Sequence, residues 1–214
     1  MCFSATASFA AASVLLAVGA VALGRVRGPR ELPFAAIPLL FGVQQLVEGI
    51  IWLTFEHEAP ALNAFMTHVY SFFSHILWPV FVPAAVLLIE PPGRRRRTLG
   101  ALLAIGLAVG AFLLHELVDY PVVAQVTGSH IEYLTPPHYL KTASALYLVS
   151  TTASLMLSSH TWVRVFGVTA LLSFALAYGA WTAWFVSVWC YFAALLSVIV
   201  CVHLRPHPLL PRPA

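Results

Sequence analysis

The chain has 214 residues, of which 60% are hydrophobic and only 9% charged (11 Lys and Arg, 8 Asp and Glu), with a mean hydropathy of +0.88. About a quarter of a soluble domain is charged, so an ordinary soluble fold is excluded; the apolar residues come in blocks of about 18 to 25, which makes lipid the solvent for most of the chain. The net charge of +3 sits in short arginine clusters between these blocks, where charge orients a membrane protein, and this excludes nucleic-acid binding.

In chain order, apolar runs bounded by Pro, Gly or charge predict seven spanning helices, at 7–24, 33–55, 64–89, 98–118, 142–159, 162–180 and 183–203. The first has neither a positive leader nor an A-x-A cleavage site and reads as a retained span. On the fourth, Gly106 and Gly110 form a GxxxG step that permits close helix contact. The fifth carries Ser150, Thr151, Thr152, Ser154 and other hydroxyls, which suits a helix buried in a bundle. All ten arginines (Arg25, Arg27, Arg30, Arg94 to Arg97, Arg164, Arg205, Arg212) fall on one side of this arrangement. The other side has Lys141 with Glu56, Glu58, Asp119 and Glu132, so the positive-inside rule puts the N terminus outside and the C terminus in the cytoplasm. The expected fold is therefore all-α: a single seven-span membrane domain over 1–204, with a Pro-rich cytoplasmic tail over 205–214. The longest connection, Asp119 to Lys141, holds His130, Glu132, Tyr133 and His138 and reads as a functional lid or a disordered loop. Trp52, Trp78, Trp162, Trp181, Trp184 and Trp189 read mostly as an aromatic belt. Glu90 beside Arg94 to Arg97 reads as an interface charge pair and an anionic-lipid contact. There is no internal repeat of the kind inverted-repeat transporters carry.

Ionisable residues inside a bilayer are costly and mark a site by default. Gln44, Glu48 and Trp52 share one face of the second helix. On the third helix His68, Ser71 and His75 fall at i, i+3 and i+7; on the fourth, His115 and Asp119 are i, i+4 neighbours flanked by Glu116. At 1.5 Å per residue Glu48, His68 and His115 lie roughly 9, 6 and 5 Å below the outer helix ends, in one layer, with His75 deeper at roughly 16 Å. Histidines and carboxylates from different helices are what a metal site requires, so Glu48, His68, His75 and His115 are the expected ligands, with Asp119 orienting an imidazole. The three cysteines, Cys2, Cys190 and Cys201, form no CxxC, so no disulfide framework, zinc knuckle or c-type haem attachment is signalled.

The opening Met1-Cys2-Phe3-Ser4, with the segment from Leu32-Pro33-Phe34 to Glu48-Gly49, resembles an uncharacterised family of bacterial integral membrane proteins, a domain of unknown function. The resemblance implies a multi-pass protein of the bacterial inner membrane and no particular reaction. The opening also draws attention to Cys2, whose thiol and amine would form a chelating pair if Met1 is removed. Ser71 and His75 are similar to the Ser-x-x-x-His step of seven-span zinc hydrolases such as alkaline ceramidases and adiponectin receptors. The His-x-x-x-His pair of that superfamily's last helix is missing here, which leaves an architectural analogy. Microbial rhodopsins fail as a match because the seventh span has no lysine.

The leading expectation is a metal-dependent hydrolase acting on a lipid or small amphiphile from the outer leaflet. Zinc would acidify a bound water and Glu48 or Glu116 would serve as general base. Iron, copper or haem b held by paired histidines would instead make it a redox protein. A proton-coupled transporter or channel with Glu48 and His75 as relay, and an accessory subunit of a membrane complex, are the alternatives. The expected surroundings are membrane lipids, with no nucleic acid.

Overall fold

The computed structural model describes residues 4–128, 130–134, 141–180 and 185–205. Ser4 caps the first helix by accepting the Ala7 amide at 3.2 Å, and α1 runs Ala5–Leu23. α2 (Leu32–Ala35) and α3 (Ile37–Glu56) each carry a proline in the first turn, where the missing amide hydrogen has no helical partner to lose. α4 (Pro60–Ser71) passes into a π-helical turn (Phe72–Leu77) and then α5 (Trp78–Ile89). Pro79 and Pro83 withhold two amides from the helical ladder here, a local cause for its loosening. α6 (Arg94–Asp119) follows, lying against α5. Pro83 has no amide to give the Pro79 carbonyl, and Gly106 packs so closely on that oxygen that a Cβ there would collide with it; Gly110 packs likewise on Val80, so the GxxxG step is a close contact.

The segment after α6 is a β-hairpin as well as a loop, a feature the apolar-run reading did not anticipate. β1 (Val123–Thr127) pairs antiparallel with β2 (His130–Leu134), Ala124 opposite Tyr133 and Val126 opposite Ile131, with Gly128 at φ +65 in the turn. The alternation that buries Ala124, Ile131 and Tyr133 was present in the sequence but is too short to register among twenty-residue spans.

α7 (Lys141–Leu148), a second π-helical turn (Val149–Ala153) and α8 (Ser154–Met156) form the next helical stretch. Its second half is buried around Ser150, Thr151, Thr152 and Ser154, whereas Thr142, Ser144 and Leu146 in the first half are exposed, and it ends at Met156 rather than 159. Ser150 and Thr151 donate to the Tyr147 carbonyl and Thr152 to the Leu148 carbonyl, so side chains compete with backbone amides where the helix widens. α9 (Thr161–Ala180) comes next; the final helix is broken at Ser197 into α10 (Phe185–Leu196) and α11 (Val198–His203), with the Ser197 hydroxyl bonded back to the Ala194 carbonyl at 2.6 Å.

Among the described residues, five helical stretches, Ala5–Leu23, Leu32–Glu56, Pro60–Ile89, Arg94–Asp119 and Thr161–Gly179, are long and apolar enough to cross a membrane. At one end of the bundle Arg25 donates to the Cys201 carbonyl and Arg27 to that of Arg205, while the His160 and His203 rings meet at 5.0 Å. The hairpin packs on α4 near the start of that helix, at the opposite end. Two apolar clusters fill the interior, one around Phe34, Phe41, Trp78, Val86 and Leu99, the other around Val47, Ile51, Tyr70, Leu113 and Ile131.

Candidate functional site

The two apolar clusters meet at a polar layer. α3 turns Gln44, Glu48 and Trp52 inward on one face, as their four-residue spacing requires, and Gln45 is buried beside them. Glu48 is fully buried; its carboxylate accepts from Gln45 Nε2 at 3.2 Å and from the Tyr133 hydroxyl at 3.4 Å. Tyr133 reaches it from β2 because its ring stacks on Tyr70 of α4, with centroids 4.4 Å apart and planes 4° from parallel. The hairpin therefore supplies a side chain to the buried carboxylate across 85 residues of sequence.

The first π-helical turn positions the second titratable group. His75 is buried, with Nδ1 3.2 Å from the Ser71 carbonyl and 2.7 Å from the Ser74 hydroxyl. A carbonyl can only accept, so a hydrogen on Nδ1 has the Ser71 carbonyl as its partner. The Tyr147 hydroxyl donates to the Ser74 carbonyl at 2.8 Å, tying the π-helical turn of α4 to the helix that carries the other one. On α3, Gln44 Oε1 accepts from Trp78 Nε1 at 2.8 Å, and Trp78 stacks on Phe41. A cavity of about 40 Å³, lined by Trp78, Tyr147, Thr151, Thr152 and Trp189 among others, lies at this level and is large enough for a water molecule. Trp52 and Trp78 are thus interior hydrogen-bonding or packing residues, which corrects their assignment to an aromatic belt; Trp162 is exposed, as a belt residue would be.

Buried polar atoms are normally paired, and exceptions mark places where something else is accommodated. Among the described residues, Gln44 Nε2, Gln45 Oε1, Trp52 Nε1, Glu116 Oε2 and the hydroxyls of Ser8 and Ser71 are buried without a hydrogen-bond partner. Apart from Ser8 on α1 and Glu116 on α6, they lie on α3, which carries Glu48, or at the end of α4, next to the π-helical turn that carries His75.

The expected four-ligand centre is not gathered. His68 donates from Nδ1 to the Ala64 carbonyl at 2.8 Å on the outer part of α4. His115 and Asp119 pair with each other at 3.3 Å, with both side chains largely exposed, while Glu116 between them is turned into the protein. Among the described residues no three His, Cys, Asp or Glu side chains converge as a metal would require. Helical spacing held for Gln44, Glu48 and Trp52 and for His115 and Asp119, whereas the π-helical turn breaks it between His68, which is half-exposed, and the buried His75; the rotation of each helix about its axis, which the sequence does not display, decided that the His115 face looks outward. Cys2 and His138 lie outside the described residues, as do Trp181, Trp184, the side chain of Cys190 and most of the Pro-rich tail. The contributions of Tyr70, Gln45 and Tyr147 went unnoticed in the sequence because each is uncharged, and Tyr133 was read only as part of the loop; the partners of Tyr70, Tyr133 and Tyr147 are distant along the chain, whereas Gln45 meets Glu48 one helical turn away.

Burial lowers the pKa of His130, which sits inward at the start of β2 outside the helical spans. Glu132, two residues on and on the same face of that strand, accepts from Gln125 and Thr127 and braces the hairpin.

A bundle with five membrane-length apolar helices and a buried polar layer is of the multi-pass membrane class. Residues 1–212 match the family of unknown function DUF6629, and the chain belongs to that family. No curated protein and no solved structure matches it.

Proposed function

We propose that this is a seven-span protein of the bacterial inner membrane, N terminus outside, that conducts protons or couples them to movement of a small polar solute through the layer around Glu48 and His75. The observation that carries the reading is Glu48 itself. A carboxyl group wholly buried in a 25-residue apolar helix, hydrogen-bonded to the neutral donors Gln45 and Tyr133, is held where gaining or losing a proton changes the charge of the core. His75 offers a second site for the proton, and the open polar atoms of Gln44, Gln45 and Ser71 offer hydrogen-bonding positions between helices. The π-helical turns support the same reading, since such turns recur at functional sites and here one holds His75 while the other faces it through Tyr147. Orientation is supported by the meeting of Arg25, Arg27 and Arg205 at one end. A metal-dependent hydrolase would need a third ligand beside Glu48 and His75, and no observation among the described residues favours one.

The test is proton flux in liposomes loaded with a pH-sensitive dye and driven by a potassium-diffusion potential. Wild type is expected to acidify the lumen faster than empty vesicles, and Glu48→Gln to return the rate to background while eluting as a folded protein. Equal rates for wild type and Glu48→Gln would overturn the proposal.

A further inference from the structure

A groove of about 540 Å³ lies at the hairpin end of the bundle, apart from Glu48, between the α3–α4 turn and the first hairpin strand. That volume is in the range of small-molecule sites. Its polar side is built from Thr54, Glu58, Asn63 and Thr67, its apolar side from residues such as Phe55 and Val123.

The hydrogen bonds of the polar side have a direction. The Thr54 hydroxyl donates to the Ile51 carbonyl at 2.6 Å and accepts from Asn63 Nδ2 at 2.8 Å; the Thr67 hydroxyl donates to Asn63 Oδ1 at 3.5 Å. Both hydroxyl hydrogens and one Asn63 Nδ2 hydrogen are spent within the wall. Acceptors then outnumber the one remaining Asn63 Nδ2 hydrogen, and they include the only charged group of the lining: the second lone pair of Asn63 Oδ1 and the carboxylate of Glu58. Glu58 has no ion-pair partner among the described residues, and no other lining residue is ionisable. Glu58 also holds a left-handed backbone at φ +48, which sets its side chain at the turn where the groove is formed. α4, which contributes Asn63 and Thr67, exposes Leu62 and Phe65 on its outer surface, so the groove adjoins a lipid-compatible wall.

We propose that this groove binds an amphiphile with an ammonium head group. The head group sits on Glu58 and Asn63 Oδ1, and the alkyl chain lies along Phe55 and Val123. The Glu58 carboxylate repels a carboxylate or phosphate terminus, and apolar walls reject a free polyamine without a chain. The site is independent of the proton chemistry assigned to Glu48.

The test uses decylammonium, decanol and decanoate as probes of one chain length, titrated calorimetrically into the protein in nanodiscs with empty nanodiscs subtracted. Decylammonium is expected to bind saturably, decanol at least fivefold more weakly, and decanoate not at all. Glu58→Gln, at an exposed turn, is expected to weaken decylammonium at least fivefold, Val123→Trp to block it by filling the apolar side, and Glu56→Gln to leave it unchanged. Absence of saturable decylammonium binding, equal binding of all three probes, or wild-type affinity in either Glu58→Gln or Val123→Trp would overturn the proposal.

Discussion

Removing the Glu90 carboxylate as Glu90→Ala tests how the end of α5 is joined to the start of α9. Glu90 is 3% exposed and accepts from the Ser158 hydroxyl at 3.0 Å and from the Ser159 amide at 3.1 and 3.0 Å. The Ser159 hydrogen is shared between both oxygens, so two donors lose their acceptor in the variant, and Ser158 is itself fully buried. A hydrogen bond to a charged group contributes about 1.5–3 kcal/mol, so for two donors the loss is about 3–6 kcal/mol. For a chain of this size about 2–4 °C of melting temperature corresponds to each kcal/mol, giving a drop of about 6–24 °C. Glu90→Gln keeps one carbonyl acceptor for the same donors and should lose about half as much. The assay is thermal unfolding in detergent followed by intrinsic fluorescence, with denaturant titration as a second measure of the same difference. A Glu90→Ala protein within about 1 kcal/mol of wild type, or a Glu90→Gln protein as unstable as Glu90→Ala, would refute the idea that this carboxylate clamps the two helices.

Gly106→Ala places a methyl group against the Pro79 carbonyl and should cost about 1–3 kcal/mol by forcing α5 and α6 apart, whereas Gly100→Ala, where nothing lies within 4 Å, should be neutral or slightly stabilising in the same unfolding assay. Burial holds the folded pKa of His130 below 6.5, so the unfolded hairpin binds the proton more readily than the folded one. The stabilisation is complete above pH 6.5 and is lost as pH falls beneath it; amide protection factors of β1 and β2, corrected for the intrinsic exchange rate, should fall as pH drops below 6.5, and His130→Gln should flatten that dependence. Tyr133→Phe removes one donor to Glu48 while keeping the stack on Tyr70, so stability should change by no more than about 1 kcal/mol while proton flux in liposomes changes measurably; unchanged flux would show that the hairpin does not act on Glu48.

Much of the bundle was legible before any coordinate. Apolar runs of span length identified the helices that became α1, α3, α6, α9 and the α4–α5 crossing, because in a bilayer every backbone group must be satisfied within its own helix. The hydroxyl content of the 142–159 run matched burial only around Ser150, Thr151, Thr152, Ser154 and Ser158, with Thr142, Ser144 and Ser159 exposed, while the GxxxG step correctly marked a close helix contact. The one carboxylate well inside a span, Glu48, was also legible, since its cost in lipid is a property of the residue and its depth. The grouping of four histidine and carboxylate ligands was not: periodicity assigns residues to a face, but which way that face points depends on how neighbouring helices pack.

Composition alone thus determined the solvent, the class and the address of Glu48 in the chain. Packing decided its company. The π-helical turn set His75 against Ser71 and Ser74, the packing of α6 left His115 and Asp119 facing outward, and the hairpin carried Tyr133 back over α4 to the buried carboxylate. The division has a physical cause. Transfer from water to lipid is nearly additive over residues and can be summed along a sequence, whereas a hydrogen bond between positions 48 and 133 exists only once two distant segments have been brought within reach of each other.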